Sequence, residues 1–61
     1  MITSVTIPDD NVSEFEHALT VVMGYEIKSR ISVPLHMIYL INVKNKTDEK
    51  AVQSLAEQFK N

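Results

Sequence analysis

A chain of 61 residues with no cysteine has room for one core and no means of making a disulfide or a thiolate metal site. Six Lys+Arg against eight Asp+Glu give a net charge of −2, which runs against a dedicated nucleic-acid-binding module, since such modules are basic. The 44% hydrophobic share excludes a disordered chain, and no window approaches the ~18 apolar residues that a membrane span requires. Domains this small bury only about 60% of the surface their unfolded chain exposes. A disulfide, a metal or oligomerisation normally makes up the difference. His17 and His36, the only histidines, lie 19 positions apart, a spacing that fits no common zinc pattern. Neither metal nor cofactor is expected, and oligomerisation is the support left open.

In chain order, Met1–Ile7 is rich in β-branched residues and reads as a strand stopped by Pro8. Pro8-Asp9-Asp10-Asn11 is a turn into a helix, with Asn11 as N-cap and Glu14 three residues on. Val12, Phe15, Leu19, Val22 and Met23 then recur at helical spacing as one apolar stripe. Extending that helix would set Glu26 and Arg30 inside the stripe. Tyr25–Val33 instead alternates for nine residues, and Gly24, the only glycine, stands where a helix C-cap belongs. The strand reading is adopted for this segment.

Val33-Pro34-Leu35-His36 is expected as a tight turn, although it lacks the Gly or Asn that hairpins favour. The third strand is the apolar run ending near Val43. With a period of two, Leu35, Met37, Tyr39, Ile41 and Val43 share one face, and Ile38 and Leu40 the other. Lys44-Asn45-Lys46 closes it, and Thr47 is the expected cap of a last helix whose Val52, Leu55, Ala56 and Phe59 form a stripe. The whole is a single α+β domain over residues 1–61, a two-layer β-α-β-β-α unit with a three-stranded sheet. A strand apolar on both faces wants cover on both, and two helices cover one. Homodimerisation is expected to complete the sheet, with Met37, Ile38, Tyr39, Leu40 and Ile41 as the dimer interface.

No residue constellation amounts to a catalytic mechanism, and no catalytic residue is assigned. Asp9-Asp10 and Asp48-Glu49 each open a helix, where the helix dipole favours carboxylates. A phosphate-binding loop needs several glycines. Phe15 and Phe59 fall in helix stripes and read as core. The acidic start, Asp9, Asp10, Glu14 and Glu16, has no Lys or Arg between Met1 and Ile27 to balance it. Together with Tyr25, Lys28 and Arg30 it forms the expected partner-binding surface.

Two families resemble parts of the chain. The N-terminal strand, and Val33-Pro34-Leu35 leading into a long apolar strand, look like the small tautomerases. Their catalytic N-terminal proline has no counterpart here, because position 2 is Ile2 and the nearest proline is Pro8. Met1–Ile7 and the helix opened by Lys46-Thr47-Asp48-Glu49-Lys50 are similar to DinI-like proteins. That likeness implies the β-α-β-β-α order and modulation of recombinase filaments. Their acidic C-terminal extension is missing.

The expectation is a small non-enzymatic interaction protein, a homodimer that inhibits or regulates a larger host protein. Phage or mobile-element inhibitors of host machinery, including defence systems, have this character. The alternatives are a nucleic-acid-associated regulator using Lys28, Arg30, Lys44 and Lys46, or an oligomeric tautomerase-like protein that binds a small ligand between subunits. With no secretory leader at Met1-Ile2-Thr3-Ser4, a cytoplasmic location is expected.

Overall fold

A computed structural model of the chain describes residues 1–60. Three strands, β1 (Ile2–Pro8), β2 (Glu26–Val33) and β3 (His36–Asn42), form one antiparallel sheet with the spatial order β1-β3-β2. Between β1 and β2 runs a helical segment whose α-helical part, α1, is Val12–His17. The last helix, α2, is Lys46–Glu57. The segment from β1 to β2 leaves a gap one strand wide, which β3 fills through its hairpin with β2. The domain is thus α+β, and among the described residues no helix is long and apolar enough to cross a membrane.

The helix-covered face holds the core. Val5 and Ile7 on β1 share that face with Tyr39 and Ile41 on β3, and Phe15, Leu19, Val52 and Ala56 close over them. Phe15 stands 5.2 Å from Tyr39 and 5.8 Å from Phe59, ring centre to ring centre, and meets the latter edge-on. Such pairs stabilise by about 0.5–1.5 kcal/mol beyond the burial of their area. Phe59 lies past the end of α2 and packs half-buried against this core.

A β-bulge divides β2. By strict alternation Tyr25, Ile27, Ser29, Ile31 and Val33 would all share one face. The register shifts between Ile27 and Ser29, leaving Lys28 as the extra residue. Ile27 therefore lies opposite Ile41 on the covered face, but Ile31 lies opposite Ile38 and Val33 opposite His36 on the open one. Arg30, opposite Tyr39, is turned to the helix side. One extra residue exchanges the faces of everything beyond it.

The first helix also departs from a regular stripe. It begins as a 3-10 turn at Asp9–Asn11 and ends as a π turn at Ala18–Val22, where the Met23 N–H reaches the Ala18 carbonyl (3.0 Å). The wider turn rotates the last apolar positions off the core, so Val22 is 70% and Met23 38% exposed. Gly24 takes φ +78° and lets the Tyr25 N–H turn back to the Leu19 carbonyl (3.0 Å), ending the helix as a C-cap glycine does.

Of the two expected N-caps, Asn11 holds its position at the start of α1 and Thr47 does not. The Asn11 side chain makes no cap bond and donates to the Phe59 carbonyl (2.7 Å), tying the two helical segments together. Asn45, two residues before Thr47, caps α2 by accepting from the Asp48 N–H (2.9 Å). Asn45 carries extended backbone (φ −158°), which a cap requires, whereas Thr47 is already inside the helix.

Candidate interaction surface

Glu16, Arg30 and Tyr39 are drawn into one cluster by the bulge. Arg30 forks onto the Glu16 carboxylate, with Nη2 to Oε1 at 2.8 Å and Nε to Oε2 at 3.1 Å. The Tyr39 hydroxyl donates to the same Oε2 at 2.6 Å from inside the core. The Arg30 guanidinium first, and then the Tyr39 hydroxyl, hold the Glu16 carboxyl below the usual carboxylate range. Burial, and then the bond to Glu16, push the Tyr39 phenol well above its ordinary value. Two expected partner-binding residues, Glu16 and Arg30, are thus engaged with each other and with the core.

Tyr25 is likewise committed. It packs half-buried against the core, and its hydroxyl donates to Asp48 Oδ1 (3.1 Å). Burial first, and that bond second, raise the Tyr25 phenol. The pair borders an open hollow of about 420 Å³ whose rim mixes Met23, Glu26, Asn42 and Lys44. Lys28 stands exposed at the bulge. Of the four basic residues expected for nucleic acid, Arg30 is spent on Glu16, which leaves Lys28, Lys44 and Lys46.

Asp9, Asp10 and Glu14 remain exposed, and the fold brings Asp9 and Asp10 to the tip of the β2–β3 hairpin. The Asp9 N–H donates to the Leu35 carbonyl (3.0 Å), and a hollow of about 290 Å³ is lined by Pro8, Asp9, Asp10, Leu35 and His36. His36 Nδ1 donates to the Pro34 carbonyl (3.2 Å). Pro34 followed by a residue of positive φ is the type II turn pattern, and Leu35 supplies it with φ +65°. The left-handed conformation costs a branched residue about 1–2 kcal/mol. Leu35 is also 78% exposed. An apolar side chain therefore stands clear of the molecule beside two carboxylates, on a backbone that glycine or asparagine would adopt more cheaply.

Of the five residues expected at a dimer interface, two are inaccessible. Tyr39 and Ile41 are fully buried beneath the helices, and Met37 packs against the same core. Ile38 and Leu40 are the members that lie on the open face. The reason is that β3 is the central strand, with one face closed by its own helices. The bulge adds Ile31 and Val33 to the open face, which sequence alternation alone could not show. Leu35 was visible only indirectly, as a turn missing its Gly or Asn.

No family model matches the chain, nor does any curated protein or solved structure match it. The likenesses to tautomerases and DinI-like proteins therefore add nothing to the site, and its reading rests on this geometry.

Proposed function

We propose that this chain is a non-enzymatic protein-binding module that works as a homodimer and inhibits or regulates a larger host protein, as phage and mobile-element inhibitors of host machinery do. The observation that carries the reading is Leu35, an exposed apolar residue held in a costly backbone conformation between Asp9, Asp10 and His36. Folding alone would favour Gly or Asn at that position, so a leucine there is explained by a contact outside the chain. An apolar side chain beside two carboxylates suits a protein pocket with a basic rim.

The test is retention from host lysate by the immobilised chain, compared with its Leu35→Asn and Asp9→Asn/Asp10→Asn variants. One protein held in near-stoichiometric amount by the native chain and released by Leu35→Asn, a variant expected to fold at least as well, supports the reading. Equal retention by all three would remove the hairpin tip from it. Salt should weaken the capture through Asp9 and Asp10 without abolishing the share owed to Leu35.

A further inference from the structure

We infer that the second copy of the chain docks on the open face of the sheet, sheet against sheet, and that neither sheet edge takes part; this rests on the homodimer reading above. The register arranges that face in four cross-strand rows. They are Pro8–His36–Val33, Thr6–Ile38–Ile31, Ser4–Leu40–Ser29 and Ile2–Asn42–Glu26. Among these twelve positions only Glu26 carries a full charge, and the Asn42 amide donates to it at 2.6 Å. Across the whole chain 23% of residues are charged. A sheet face meant for water carries polar and charged side chains in alternation. Here the two inner rows set Leu40 between Ser4 and Ser29, and Ile38 between Thr6 and Ile31, an isoleucine that is 45% exposed.

Both edges are obstructed. On the β1 side, Gln53 of α2 donates from Nε2 to the Ser4 carbonyl (3.0 Å) and to Thr3 Oγ1 (2.9 Å), occupying a backbone acceptor that an added strand would need. On the β2 side, the bulge at Lys28 interrupts the ladder and sets a lysine on the rim. Bulges and lysines are the devices by which natural sheets resist edge pairing. The face carries no such device.

The face also fits itself. Tyr39 is the midpoint of β3, so a twofold axis crossing the strands at its level sets Ile38 of one copy against Leu40 of the other, and the reverse. Ser4, Thr6 and Ser29 are short enough for two sheets to approach to the ~10 Å of a β-sandwich. Strands of seven or eight residues at about 3.3 Å each, three of them about 4.8 Å apart, give the face a footprint of roughly 23 by 15 Å, or about 350 Å². Two such faces give about 700 Å² of footprint, the small and weak end of the interface range.

Sedimentation equilibrium on the full chain tests this, over protein concentrations from micromolar to millimolar. The native chain should approach twice its 6.9 kDa mass. Ile38→Lys and Leu40→Lys should remain at protomer mass with an unchanged circular dichroism spectrum. Ser29→Lys, at a position with no core role, should do the same if either of those variants fails to fold. Gln53→Ala and Lys28→Ala should dimerise as the native chain does. A native dimer that survives the face substitutions, or that is lost with the edge ones, overturns the face assignment and leaves the homodimer standing. A native chain that stays at protomer mass to the millimolar range overturns both.

Discussion

At the hairpin tip, Leu35 separates stability from contact in a way that a single substitution reads. Leu35→Asn or Leu35→Gly relieves the left-handed strain of a branched residue, offset in part by the entropy that a glycine loses on folding. A gain of about 0.5–1 kcal/mol is expected, seen as a higher urea midpoint at constant m. A loss of stability would mean that the leucine packs on the chain itself. Glu16 makes the opposite case. Its lowered folded pKa means that its contribution is complete above the ordinary carboxylate value of about 4.3 and is lost as pH falls through the folded value. Tyr39, raised in the fold, contributes in full below the ordinary phenol value of about 10 and loses that contribution gradually as pH rises from there through its higher folded value. Glu16→Gln should therefore cost about 1 kcal/mol at pH 7, since Arg30 is half exposed and solvent screens part of the pair. The native chain should lose urea resistance between pH 5 and pH 3 by more than the variant does, and parallel losses would place the acid sensitivity elsewhere.

Among the elements, β2 shows how much rests on one inserted residue. Lys28 is the position that breaks the register, so its deletion leaves every other pair in place: Ile27 with Ile41, Ser29 with Leu40, Arg30 with Tyr39. The shortened strand should fold at a cost within about 1 kcal/mol, a mild outcome for a deletion inside a strand, while its straightened edge should aggregate more readily. Deleting Lys28 and Ser29 together exchanges the faces of residues 30–33. That parts Arg30 from Glu16 and turns Ile31 toward the helices, so a loss of about 3 kcal/mol or outright unfolding is expected. Thermal melts of the two deletions discriminate the cases, and equal damage from both would show that the bulge itself is needed. The strands and the second helix are legible in the sequence because Val5/Ile7, Tyr39/Ile41 and Val52/Ala56 repeat at the period of their own element. Asn45 as the cap of α2 is not legible, because Asn45 and Thr47 are both good caps and only the backbone angle chooses between them.

For the molecule as a whole, the proposed docking of two open sheet faces predicts stability that depends on association. Linkage makes the melting temperature of an associating protein rise with its concentration. For a domain of this size a tenfold increase should raise it by about 3–6 °C, measured by calorimetry, and Ile38→Lys should abolish that dependence. A melting temperature independent of concentration would mean that the single copy is stable alone. One domain, its strands and helices, and the apolar identity of Phe15, Leu19, Tyr39, Ile41, Val52 and Ala56 follow from the sequence, since residue periodicity reports which side of its own element a residue takes. The tertiary structure alone decides that Ile31 and Val33 join Ile38 and Leu40 on the open face, that Arg30 meets Glu16 above Tyr39, and that Val22 and Met23 turn out to solvent. Those outcomes depend on phase shifts, a bulge in β2 and a π turn in the first helix, that neighbouring elements impose on the backbone and that no local pattern of residues records.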